Sequence, residues 1–472
     1  MKQRLPKSWG FLSLTLANLA VIGSINNWAL LGSYGSISLF FFLLAGLLFF
    51  LPSVFVTAEL ASTWHQTGGI YVWVKEAFGH RAAFTAVWIM WIQQIFWYPV
   101  PLLIIATSSA SLFYPSLTLN RRFQLLAVAA LIVLMTVAFL RGLGLLRWIN
   151  FFGVMLGMIL PAGIIMTFGF FWIWNKEPLA LTFSLESFTK DITNIKNWST
   201  FASILTTFAG IEISTYHALG VKEPKKNYPK AAFLTAPISF ALYLFGTLAL
   251  ISVVEQKKIN LFQNDADILE LFFKTLNVPA LFPFMLVLIL LGMFTEMNGW
   301  YTGPIKGLLA VAKHGDLPPC FRRINAQGMP TLLIFVQAFF GFAFSLLFIF
   351  LPQAEALSWI AVALIIMLYF IAYFFIFAAA IKLRYSKPDV PRPYQIPGGM
   401  PGIWLVAGLG LATSVIVFVL AFLLPQYMLN LSSLHYTPWF SLVLILICLT
   451  PNFILCFKQK SWSQLPEKDI EP

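Results

Sequence analysis

Residues 39–56 read LFFFLLAGLLFFLPSVFV, eighteen residues without a charge. A helix needs about 20 apolar residues to cross the hydrocarbon core of a bilayer. The run does not alternate between apolar and polar residues, so a strand of a membrane barrel is excluded. Runs of this kind recur along the chain. Hydrophobic residues make up 59% of its 472 residues, charged residues only 10%, and mean hydropathy is +0.83. Soluble domains carry about 25% charged residues. The sequence therefore predicts an all-α integral membrane protein with about 12 transmembrane helices.

The expected spans are 10–33, 36–61, 81–113, 122–140, 145–174, 198–220, 230–254, 279–312, 330–351, 355–384, 402–424 and 437–457. Short amphipathic helices are expected at 68–79 and 264–276. With the N-terminus inside, all but eight of the 30 basic residues fall on the inner side. That asymmetry places both termini in the cytoplasm. It also explains the net charge of +12 without nucleic acid as a partner. The basic start, Lys2, Arg4 and Lys7, leads into the first span rather than a cleaved signal peptide.

Two spans contain polar interruptions. The first carries Gly23-Ser24-Ile25-Asn26-Asn27, directly after Ile22. Asparagines at span centre are costly without partners. They either pack helices together through hydrogen bonds or mark a broken helix. The sixth span runs through Phe208-Ala209-Gly210-Ile211 to Glu212, then Ser214, Thr215, Tyr216 and His217. Glycine weakens a helix, and a carboxylate at membrane depth needs a partner or a cavity. If spans one to five and six to ten are repeats, the interruptions occupy matching helices. Five is odd, so the repeats would be inverted. Paired breaks in inverted repeats point to a transporter site. The repeats would cover about 10–174 and 198–384, with two extra helices over 402–457.

Acids near or within spans are Glu59, Glu212 and Glu296. Glu59 reads as structural, within reach of a loop cation. Glu212 reads either as a proton carrier or gate, or as an acid holding the break in shape. Glu296 reads either as a coupling group or as a packing hydrogen bond. Trp300, Tyr369 and Tyr373 lie near mid-span, the tyrosines four apart on one helix face. Of Gln93 and Gln94, one is expected to face a cavity and the other a neighbouring helix. The five histidines show no metal-ligand spacing, and there is no GxxxxGK[ST] motif, so neither metal, cofactor nor ATP coupling is expected. No constellation supports an enzyme. A non-transporting sensor would want a large soluble output domain, which the sequence does not show.

The segments FAGIEIS (208–214), VKEPKKNYPKA (221–231), LGMFTEMNGWYTGPIKGLLAVAKHGDLPPCFRRINAQGMP (291–330), GGIYVWVKEAFG (68–79) and RPYQIPGG (392–399) resemble the amino acid–polyamine–organocation superfamily. The pattern is most similar to its bacterial glutamate/GABA antiporter family. The resemblance runs from the first span to the last. It implies a five-plus-five inverted repeat with discontinuous first and sixth helices, and alternating-access amino acid exchange across the bacterial inner membrane. Glu212, Glu296, Trp300, Tyr369 and Tyr373 match positions that border the substrate path in that family. The Gly23–Asn27 knot stands where the glutamate/GABA antiporter is more aromatic. Residues 458–472 lack histidine, so no histidine-bearing tail is expected to plug the inner mouth. The substrate carboxylate is expected at the Gly23–Asn27 break. The amine is expected at carbonyls around Phe208–Ile211.

Overall fold

The computed structural model describes residues 9–32, 37–179, 189, 191–254, 265–351, 354–423 and 433–463. Lys2, Arg4, Lys7, the tail beyond 463 and the side chain of His217 lie outside the described residues. Ten helices in the described part are long and apolar enough to cross a membrane. The first and sixth expected spans are each divided into two shorter pieces.

The first span consists of α1 (Phe11–Ile22) and α2 (Asn27–Gly32). The Gly23 N–H still bonds the Leu19 carbonyl at 2.8 Å, and regular helix then stops until Asn27. Gly23 is also a close approach, because a Cβ there would strike Met158. Next come α3 (Ile37–Thr63), the short α4 (Ile70–Phe78), α5 (His80–Phe113), α6 (Arg121–Leu140) and α7 (Gly144–Trp174). The sixth span opens as α8 (Ile195–Thr207), breaks, and resumes as a 3-10 helix over Ile213–Gly220. Gly210, at the break, has φ +116°, a conformation that side-chain-bearing residues rarely adopt. The remaining helices are α9 (Pro224–Val253), α10 (Asp265–Thr275), α11 (Leu281–His314), α12 (Thr331–Phe350), α13 (Ala354–Ser386), α14 (Gly399–Ala421) and α15 (Ser433–Cys456).

The seventh span begins earlier than expected. Lys225, Lys226 and Lys230 lie on the first turns of α9 rather than in a loop. Pro224 starts that helix, where the N–H that proline lacks would have had no helical partner.

The two broken helices are stitched together on the N-terminal side. The Trp9 N–H bonds the Gly220 carbonyl at 3.0 Å, and the Lys222 N–H bonds the Trp9 carbonyl at 2.9 Å. Helix α1 packs on α7, α9 and α11, and α13 packs on α5 and α14.

Glu59 has the structural role its position suggested. Arg384 on α13 grips it with two hydrogen bonds of 2.7 Å. The Ile396 N–H donates to it at 2.8 Å, and Arg392 Nε lies 3.3 Å away. Both Glu59 and Arg384 are buried, so removing one partner strands the other charge. Arg384→Ala should therefore cost about 3 kcal/mol of stability. Denaturation of the detergent-purified variant would measure this. A midpoint equal to wild type would contradict a buried, working ion pair.

Candidate functional site

A cavity of about 420 Å³ lies where the two broken helices meet α5, α11 and α13. Asn26 and Asn27 reach it from the first break, and Ala209 from the second. Gln93, Glu296, Trp300 and Tyr369 also line it. These seven residues come from five separate stretches of sequence. Glu296 is the only ionisable acid among the described lining residues, and no lysine, arginine or histidine is among them.

The other expected site residues support the wall rather than face this space. Gly23, Ser24 and Ile25 border a second pocket of about 20 Å³, which Asn26 and Glu296 also line. That volume suits about one water molecule. The Ile22 carbonyl accepts a hydrogen bond from the Tyr243 hydroxyl, which in turn accepts one from Asn27 Nδ2 at 3.3 Å. Phe208 stacks between Phe50 and Phe240, with centroids at 4.8 and 6.0 Å. Gly210 packs against Val21 and Trp300, and Ile211 is buried.

Glu212 is fully enclosed and clamped by the two tyrosines. Tyr369 Oη donates to Oε1 at 2.7 Å, and Tyr373 Oη donates to Oε2 at 2.5 Å. The Gly210 N–H donates to Tyr373 Oη at 3.0 Å. A helical pair of hydroxyls four residues apart on α13 thus meets both the acid and a backbone donor released by the break. A buried polar group without a partner is costly, and this clamp supplies partners across 157 and more residues of sequence. Tyr369 also stands edge-on to Trp300 at 5.5 Å. Trp300 Nε1 donates to the Val21 carbonyl at 3.2 Å, tying α11 to the end of α1.

Gln93 and Gln94 both line the cavity, against the expectation that one would face a neighbouring helix. They fit side by side because Gln94 Nε2 donates to Gln93 Oε1 at 2.7 Å. The sequence reading missed Trp97, Trp359, Tyr243 and the pair Thr206-Thr207. The threonines offered a signal, being polar residues one step before the second break. The tryptophans resemble interfacial or packing residues and offered none.

The cavity is one-sided. It extends past Thr206 and Ser203 along α8, and past Val362 and Trp359 toward the start of α13. Both helices enter from the side opposite α1. Tyr216, Tyr71 and the Glu59 ion pair are buried and do not line this cavity.

A profile of the amino acid permease family matches residues 9–462. The chain belongs to the amino acid permease family. It is a multi-pass membrane transporter and not an enzyme. An uncharacterized transporter of Legionella pneumophila is 35% identical, over 88% of the permease and 89% of the relative. A glutamate/gamma-aminobutyrate antiporter of Lactococcus lactis is 25% identical, over 90% and 85%. A probable agmatine/putrescine antiporter of the same organism is 22% identical, over 83% of each chain.

In the permease, Tyr373→Phe removes one donor to Glu212 and the acceptor of the Gly210 N–H. Leaving buried groups unpaired should lower stability by about 1–3 kcal/mol. Tyr385→Phe, exposed at the end of α13, should change it far less. Comparing denaturation midpoints of the two variants checks this. Equal losses would show that the clamp does not hold the break.

Proposed function

We propose that this permease is an amino acid antiporter, exchanging substrates by alternating access across a bacterial cell membrane. The observation that carries the reading is the one-sided cavity at the crossing of two broken helices. Its volume lies within the range of small-molecule sites, about 300–1,000 Å³. Broken half-helices put backbone donors and acceptors at membrane depth, where a zwitterion needs them. The two antiporters among its relatives support exchange as the mode.

In this reading the substrate carboxylate meets the N–H groups of the first break at Asn26 and Asn27, the residues of that break that line the cavity, at the positive end of α2. The amine meets the Ala209 carbonyl of the second break and the Glu296 carboxylate. Gln93, Trp300 and Tyr369 shape the pocket for the rest of the substrate. Tyr373, Phe208, Gly210, Ile211 and Glu212 hold the second break in its shape, and Ile22, Ser24 and Ile25 the first. Residues 10–174 and 198–384 act as inverted repeats that rock around this point. The positive-inside rule puts both termini in the cytoplasm, so the cavity faces outward in this conformation.

Proteoliposomes preloaded with unlabelled amino acids, or left empty, separate exchange from net uptake. Exchange predicts accumulation of a labelled amino acid only in preloaded vesicles. Accumulation in empty vesicles under an inward proton gradient would overturn it in favour of proton symport. Gly23→Leu and Gly210→Leu should each abolish uptake, because the added side chains meet Met158 at the first break and Val21 and Trp300 at the second. Both variants should still insert and elute as folded protein. Near-normal uptake by both would remove the site from the breaks.

A further inference from the structure

At the α1 side of the molecule, away from the cavity, three ligand-bearing side chains converge. Asp316 follows α11 and is fully buried. Its Oδ2 lies 3.1 Å from His80 Nδ1, at the start of α5, and 3.2 Å from His314 Nδ1, at the end of α11. One ligand atom from each of the three side chains lies within 4.8 Å of those of the other two. The imidazole rings stack with centroids 5.6 Å apart and planes 27° apart. Both histidines are partly exposed, at 41% and 39%, so water reaches the cluster.

We propose that His80, His314 and Asp316 form a binding site for a divalent transition-metal ion of the zinc type. Zinc binds imidazole nitrogen and carboxylate oxygen at about 2.0–2.2 Å, which sets neighbouring ligand atoms of a tetrahedron roughly 3.3–3.5 Å apart. The two N···O separations already approach that spacing. Two imidazoles and a carboxylate are a ligand set zinc accepts, with water at an open fourth position.

The carboxylate is prepared for one-oxygen binding. Lys458, after α15, donates to the other oxygen, Oδ1, at 2.8 Å. Burial works against the Asp316 charge, but the Lys458 hydrogen bond and the histidines outweigh it, holding the acid below the usual carboxylate range. The Lys458 contact is the kind of outer partner that orients a metal-binding carboxylate. Sequence spacing gave no hint of the full site, because His80 lies 236 residues before Asp316 and joins the His314/Asp316 pair only where α5 begins and α11 ends. An ion there would pin these two ends together on the closed side of the transporter, so bound zinc should slow transport.

The test is titration calorimetry with zinc chloride on the tag-free full chain in detergent. His80→Gln and His314→Gln are the variants, with thermal unfolding as the folding control. One zinc per chain is expected, weakened at least tenfold in either variant. A wild-type chain without saturable binding would overturn the proposal. So would binding unchanged in both histidine variants. None of these readouts depends on which amino acid is carried or on the mode of exchange.

Discussion

A helix broken inside a membrane leaves backbone groups that lipid cannot satisfy. The clamp of Tyr369 and Tyr373 on Glu212, with the Gly210 N–H donating into it, is how this chain meets that constraint. Most of what surrounds the cavity follows from it. Once the second break is fixed to α13, Ala209 is presented to the cavity and Phe208 turns into the core. Gly210 then lies flat enough for Trp300 and Val21 to pack on it. Trp300 in turn holds the end of α1 through the Val21 carbonyl. The first break is held separately, by Tyr243 acting on Ile22 and Asn27.

The same contacts fall into two groups around the cavity. The bridge between Trp9 and Val221 joins the residue before α1 to the end of the sixth span. Against it stand α5, α11 and α13, whose ends carry the polar contacts of the closed side. Glu59 with Arg384 and Arg392 ties α3 to α13 and the segment after it. Asp316 ties α11 to α5 and to the residues after α15. These contacts are concentrated on the α1 side, and the proposed alternating access would require some of them to break.

Much of this architecture was legible in the sequence, for local reasons. A span is recorded in a continuous apolar run, and a break in a cluster of glycine and polar residues at the wrong depth. Hence the interruptions near Gly23–Asn27 and Ala209–Gly210 appear at the expected residues, and the long helices within a few positions. The start of α9 was misplaced because lysines and two prolines between 224 and 230 read as loop, although Pro224 and Pro229 lie within its first two turns. What one chain cannot record locally is who meets whom. Glu212 could be recognised as a buried acid, but its partners lie on α13. Glu59 was assigned a cation without a name, and Arg384 is 325 residues away. The division of the expected site into cavity-facing and supporting residues depends on helix rotation about the breaks, which hydropathy does not encode.

The central claim is that substrate occupies the space between the two breaks. Labelling of a single cysteine at Ala209, in a chain with Cys320, Cys448 and Cys456 replaced by serine, tests it most directly. A membrane-impermeant thiol reagent would be applied with and without an amino acid that the protein transports. The account predicts labelling from the side opposite α1, and protection that rises with the concentration of transported substrate. Labelling that no transported amino acid slows would contradict it.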